Sequence, residues 1–257
     1  MSNKNQKLLT ISLSLNVICL IFLILFIARK GGISYVKSKV SFLIPSSQEK
    51  SINSPPKPRI KTYKTNNYIS KIKYFQQLPN SEQEIIFLGD SLTDQGNWSE
   101  LLKNGDIINR GIAGDTTDGV LNRINEVIES KPQKIFIMIG INDIWNENKI
   151  LNDLITNYQQ ILTIFKTQIP KTQVYIQSIL PINNEQYSIN VDNNQILAVN
   201  EELKKIASKF NYQYLDLHSK FVEQSNQLNP EYTNDGVHLN LQGYLLWTDI
   251  IKLYVNK

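Results

Sequence analysis

Ser91, Gly114, Asn142 and the pair Asp235 and His238 are the residues of this chain whose types and order can move an acyl group. A serine hydroxyl is a weak nucleophile until a base takes its proton. His238 can be that base. The imidazole in turn needs a carboxylate that fixes its tautomer and stabilises the imidazolium, and Asp235 lies three residues earlier, within reach of a loop turn. A tetrahedral intermediate needs hydrogen-bond donors aimed at its oxyanion. The main-chain N–H of Ser91, the main-chain N–H of Gly114 and the side-chain amide of Asn142 can supply three. Gly114 has no Cβ to keep a substrate from the backbone, and Asn142 donates without carrying charge. The chain has only two histidines, His218 and His238. Asp216 and His218 are therefore the alternative catalytic pair, and their spacing at a strand end puts both on one face.

These residues need a scaffold that gathers distant segments. Apolar runs at Ile85–Leu88, Ile107–Ile108, Ile135–Ile139, Val174–Ile179 and Tyr214–Leu217 are expected as buried strands. Between and after them, apolar residues recur at helical spacing. One set is Val120, Leu121, Ile124, Val127 and Ile128, and a second runs from Leu151 to Phe165. A third runs from Ile196 to Phe210, and Leu241 to Val255 is the last. Alternating strands and helices imply an α/β fold with a parallel sheet covered on both faces, joined by right-handed crossovers. Function in such sheets lies at the carboxyl ends of the strands. Gly89-Asp90-Ser91, the turn Arg110–Asp115 and Gly140–Asp143 fall just after predicted strands, and Asp235–His238 lies after the fifth, before the last helix.

The four blocks Gly89-Asp90-Ser91-Leu92, Gly114, Asn142 and Asp235-x-x-His238 resemble, in letters, order and spacing, those of the SGNH or GDSL-type hydrolases. The resemblance runs from about Glu84 to the C-terminus. The turn Gly111–Thr117 (GIAGDTT) is similar to the platelet-activating-factor acetylhydrolase-like branch. The resemblance implies a flavodoxin-like three-layer α/β/α sandwich with a five-stranded parallel sheet. It implies Ser91 as nucleophile, His238 as base, Asp235 as its orienter, and Ser91, Gly114 and Asn142 as the oxyanion hole. The implied activity is hydrolysis of carboxylic esters without a metal, and no cofactor is expected.

Outside the hydrolase-like part the chain changes character. Leu8–Ala28 is uncharged and long enough to cross a bilayer, with Lys4 and Lys7 before it and Arg29 and Lys30 after it. Residues 1–30 are expected as an uncleaved transmembrane anchor, since no small-residue cleavage site precedes Arg29. Residues 31–80 form a linker with Pro45, Pro55, Pro56 and Pro58, with a short helix expected over Tyr68–Leu78. Residues 81–257 form the catalytic domain. The lysine and arginine count around the anchor favours a cytoplasmic domain. The short N-terminal tail favours export, which is the preferred expectation. Residues 1–80 hold 13 Lys/Arg against Glu49 alone, leaving 14 basic and 22 acidic residues in 81–257. The folded part is thus acidic, and no nucleic-acid partner is expected. The sole cysteine, Cys19, excludes an intrachain disulfide and a Cys-based zinc site.

Other readings attach to the same residues. Ser91 and Asp90 are also helix-capping types, and Asp115 is the expected cap of the helix after the glycine turn. Asp143 is expected in a turn, and Trp145 either walls a pocket or packs. The loop Pro181–Asn194 follows the fourth strand and is expected to shape the substrate site. It is polar, with Tyr187 as its one large aromatic, which favours short acyl esters of a sugar or lipid headgroup. The competing functions are a metal-dependent phosphoesterase, disfavoured by the supply of histidines, and a catalytically inactive membrane-tethered binding protein.

Overall fold

The computed structural model describes residues 62–256 apart from residue 224. The anchor expected over Leu8–Ala28 and residues 31–61 of the linker lie outside the described residues. Among the described residues, no helix is long and apolar enough to cross a membrane.

The described chain begins with a 3-10 turn at Thr62–Lys64 and helix α1, Asn66–Phe75. Thr65 caps α1 by accepting the N–H of Tyr68. Strand β1, Ile85–Gly89, is followed by the short helices α2, Ser91–Asp94, and α3, Trp98–Leu101. Then come β2, Ile107–Gly111, and helices α4, Thr117–Asn122, and α5, Ile124–Ile128. Strand β3, Lys134–Met138, leads to α6, Ile141–Trp145, and α7, Leu151–Gln168. Strand β4, Gln173–Gln177, leads through a long loop to α8, Asn193–Phe210. Strand β5, Gln213–Leu215, α9, His218–Phe221, and α10, Leu241–Val255, complete the chain.

All five strands are parallel, in the order β2-β1-β3-β4-β5. Alternate side chains of each buried strand point to opposite faces, so a strand apolar at every position feeds two cores. Ile86, Leu88, Ile135, Ile137, Val174 and Ile176 enter one cluster with residues of α4, α5, α7 and α8. Ile85, Phe87, Phe136, Met138 and Tyr175 enter the other, with Trp98 of α3 and Trp247 and Ile251 of α10. On that second face Phe87, Phe136 and Tyr175 are register partners on adjacent strands. Their rings stack at 5.0 and 4.5 Å, the cross-strand contact that holds sheets in register.

Two differences from the sequence expectation bear on the site. The periodic stretch Val120–Ile128 is two helices, because Arg123 leaves helical geometry at φ −111°, ψ 12°. Its fully buried guanidinium is bound on all sides, as described below. Helix α1 is packed rather than loose. Tyr68 and Phe75 are buried against Ile112, and the Tyr68 hydroxyl donates to Gly119 O at 2.5 Å. The end of the stretch expected as a linker thus belongs to the folded unit.

Candidate active site

Strand order decides which residues meet. β1 lies between β2 and β3, with Gly89 in register with Gly111 on one side and Met138 on the other. The segments leaving these three strands therefore emerge side by side at the carboxyl edge, where a doubly wound sheet reverses direction. They carry Ser91, Gly114 and Asn142.

Ser91 is the first residue of α2, and Asp90 caps that helix by accepting the Leu92 N–H at 3.0 Å. Ser91 Oγ lies 3.0 Å from His238 Nε2, although 147 residues separate the two. His238 Nδ1 lies 2.7 Å from Asp235 Oδ2. A carboxylate accepts only, so the shared proton sits on Nδ1 and Nε2 is left with a lone pair facing the serine hydroxyl. The other Asp235 oxygen accepts the N–H groups of Val237 and His238 at 2.9 and 2.7 Å. Partial burial pushes the Asp235 carboxyl up. The hydrogen bonds from the His238 ring and these two amides outweigh that and hold it below the usual carboxylate range. The His238 side chain is 32% exposed and that of Asp235 54%, so both stand at an open rim.

Thr233, which the sequence reading passed over, shapes this loop. Its hydroxyl donates to His238 O at 2.7 Å and accepts the Gly236 N–H at 2.9 Å. A threonine two residues before the Asp-Gly pair is the available signal, since Ser and Thr hydroxyls commonly close such turns.

The main-chain N–H groups of Ser91 and Gly114 have no acceptor among the described residues. Gly114 adopts φ +81°, the left-handed region where a side chain is strained. The Asn142 amide is oriented by its neighbours. Its Oδ1 accepts from Asn146 Nδ2 at 2.7 Å, and its Nδ2 donates to Asp115 O at 3.0 Å. Each amide nitrogen has two hydrogens, so one Asn142 N–H is committed and the second remains as a donor.

The alternative pair is not assembled. His218 is buried at the start of α9, and its main-chain N–H donates to Ser178 Oγ at 2.7 Å. Asp216 instead accepts the N–H of Ser219. Asp115 is not the helix cap. Thr116 is, and Asp115 is fully buried against Arg123. Asp143 likewise exceeds a turn role: it is buried, 2.7 Å from Lys149 Nζ, and accepts the Thr117 N–H at 2.9 Å. Trp145 packs on the larger core cluster. The loop after β4 is fastened to the histidine loop, because the Asn183 N–H donates to Gly236 O at 2.8 Å.

Asp90 is fully buried, and desolvation, reinforced by the charges of Asp115 and Asp143, raises its carboxyl to about 7. The unfolded state releases this proton near pH 4, so the cost of ionising Asp90 grows between pH 4 and 7 and is complete above that. Asp90→Asn keeps the acceptor for Leu92 and removes the charge. It is expected to raise Tm at pH 8, by about 2–4 °C for each kcal/mol recovered, and to leave Tm at pH 4 little changed. Thermal melts at the two pH values check this; an equal shift at both would assign the gain to another cause.

Comparison with known proteins gives a consistent picture. Residues 87–246 match the GDSL-like lipase/acylhydrolase family. Platelet-activating factor acetylhydrolase IB subunit alpha2 of Homo sapiens is 28% identical over 174 residues, covering 64% of this chain and 72% of that protein. A solved structure from Streptococcus pneumonia is 28% identical, covers 72% of this chain and 90% of its own, and superposes with a TM-score of 0.66. A GDSL-like lipase of Bacteroides thetaiotaomicron, at 24% identity, shares the fold with a TM-score of 0.65 over 74% of this chain and 97% of its own.

Proposed function

The chain belongs to the GDSL-like lipase/acylhydrolase family and is a hydrolase acting on ester bonds, and on that premise we propose that it is a serine esterase for short-acyl esters, with Ser91, His238 and Asp235 as its catalytic triad. The observation that carries the reading is the continuous chain of contacts from Ser91 Oγ through the His238 ring to the Asp235 carboxylate, at 3.0 and 2.7 Å.

In this reading Ser91 Oγ attacks the ester carbonyl carbon while its proton passes to His238 Nε2. The carbonyl oxygen becomes an oxyanion and takes hydrogen bonds from Ser91 N–H, Gly114 N–H and the uncommitted Asn142 N–H. The intermediate collapses, the C–O bond to the alcohol breaks, and the imidazolium returns its proton to the leaving oxygen. Water then attacks the acyl-enzyme, His238 takes one of its protons, and collapse releases the carboxylic acid and restores Ser91.

The short-acyl preference is supported by the polar loop Pro181–Asn194, fastened beside the histidine, and by a relative that is named an acetylhydrolase. Acetyl groups on a sugar or a lipid headgroup are the proposed substrates. The apolar run Leu8–Ala28 supports an enzyme tethered to a membrane.

The test uses the full chain in detergent. A fluorophosphonate probe is expected to label Ser91, and a panel of esters from acetyl to palmitoyl is expected to be cleaved fastest at the short end. Hydrolysis of p-nitrophenyl phosphate, without labelling and lost to a chelator, would instead mark a metal-dependent phosphoesterase. Neither labelling nor hydrolysis would mark an inactive binding protein. Fastest cleavage of palmitoyl esters would retain the esterase and remove the short-acyl assignment.

A further inference from the structure

The turn that carries Gly114 is held from an unexpected side. Asp94 is the last residue of α2, one helical turn after Ser91. One of its carboxylate oxygens accepts the main-chain N–H of Ala113, the residue before Gly114, at 3.3 Å. The other lies 2.6 Å from Lys71 Nζ, on α1. A single carboxylate thus joins three segments: the helix of the nucleophile, the turn that presents the Gly114 N–H, and the helix that connects the domain to the N-terminal arm.

Nearby contacts make this junction stiff. Asn109 Nδ2 lies 2.9, 3.1 and 3.1 Å from the carbonyl oxygens of Thr93, Asp94 and Gly96, and Asn109 Oδ1 accepts the Gly111 N–H at 2.8 Å. The end of β2 presses on the backbone of α2 so closely that a Cβ on Gly111 would sit 2.1 Å from Asp94 N. Movement at Asp94 is therefore transmitted to both sides of the reacting centre. Helix α1 is itself fixed, through the Tyr68 hydroxyl on Gly119 O and the Asn122 amide on that hydroxyl at 3.2 Å.

We propose that Asp94 is a positioning residue that sets the Gly114 N–H against Ser91, and that Lys71 of α1 holds the Asp94 carboxylate in place. The N-terminal helix is then part of the catalytic apparatus rather than a spacer. The inference rests on Ser91 as nucleophile and Gly114 as oxyanion donor. A half-buried ion pair near the surface with no such role contributes about 1 kcal/mol to stability and nothing to turnover. A positioning role acts on the transition state and leaves ground-state binding nearly unchanged, so kcat and KM separate the two.

The experiment measures kcat and KM for p-nitrophenyl acetate, with Tm, on full-length protein in detergent. Asp94→Ala is expected to lower kcat by about 10- to 100-fold with KM within about twofold, as a displaced catalytic donor does. Asp94→Asn keeps an oxygen for the Ala113 N–H but loses the lysine, and falls between wild type and Asp94→Ala. Lys71→Met should match Asp94→Asn, and Lys71→Met added to Asp94→Ala should cost nothing further. If Asp94→Ala does not fold, Asp94→Asn and Lys71→Met decide. Unchanged kcat in all variants that fold, or a change confined to KM, overturns the proposal while an inactive Ser91→Ala leaves the nucleophile standing. An active Ser91→Ala overturns both.

Discussion

Ser91→Ala is expected to lower kcat by about 10⁴- to 10⁶-fold, the range in which loss of a nucleophile or its base falls in serine hydrolases that work through an acyl-enzyme. His238→Ala should lose about as much. The reason is geometric. Ser91 Oγ lies 3.0 Å from His238 Nε2, and in the proposed triad the serine has no function without the imidazole, nor the imidazole without the serine. The double variant should therefore be no slower than either single one, since groups that act as a unit are not additive. Small residual hydrolysis is expected, because the N–H groups of Ser91 and Gly114 are main-chain donors that neither substitution removes. The rates are measured on p-nitrophenyl acetate with the same preparations used for fluorophosphonate labelling. Tm should stay within a few degrees of wild type, since neither side chain is fully buried. Activity in Ser91→Ala within tenfold of wild type would exclude this serine as nucleophile.

The unequal legibility of the sequence has a physical pattern. Strands β1 and β3 show as unbroken apolar runs because both faces of a central parallel strand are buried. Strand β2 reads as only Ile107–Ile108, yet it extends to Gly111. Its last residues include Asn109, which serves the backbone of α2, and Arg110, buried against Glu126 at 3.1 Å. A buried charge is legible only once its partner is known, and the partner here comes from a later helix. The same limit hid the break at Arg123, whereas the packing of α1 depends on Ile112, which only the fold brings against Tyr68 and Phe75. The candidate catalytic residues were legible for the opposite reason. Their types are determined by chemistry, and their positions after successive strands follow from the sheet's topology. The residues alone leave His218 open as an alternative to His238, because both follow acidic residues at short spacing, and it is the family resemblance that favours His238. Burial of His218 and the approach of His238 to Ser91 separate them only in three dimensions.

Arg123 carries the second large effect, and it concerns the frame under the oxyanion turn. Its guanidinium reaches Asp115 Oδ2 at 2.9 Å, Glu126 Oε1 at 2.8 Å, Arg110 O at 2.8 Å and Gly89 O at 3.4 Å. Both the Arg123 and Asp115 side chains are 0% exposed. Burial raises the Asp115 carboxyl to about 6 even with Arg123 opposing it. Arg123→Ala would leave that carboxylate with only the Thr116 N–H, would take a donor from two carbonyl oxygens, and would leave Glu126 held by Arg110 alone. The expected loss is about 3–5 kcal/mol at pH 8, typical of a buried pair with one partner removed. The pH dependence gives the loss a signature. Without Arg123 the folded-state pKa of Asp115 rises further above its unfolded value near 4, so the cost is full above the folded value and fades as pH falls toward 4. Thermal melts should therefore show the gap between variant and wild type narrowing from pH 8 to pH 5. A cavity alone would give a gap independent of pH. Arg123→Lys should recover only part of the loss, because one ammonium cannot reproduce a planar fork that meets two carboxylates and two carbonyls. Asp115 O also accepts the Asn142 amide, so the variants that fold should lose turnover as well as stability. Turnover restored to wild type at low temperature, where the variant is folded, would confine Arg123 to stability and detach it from the aim of Asn142.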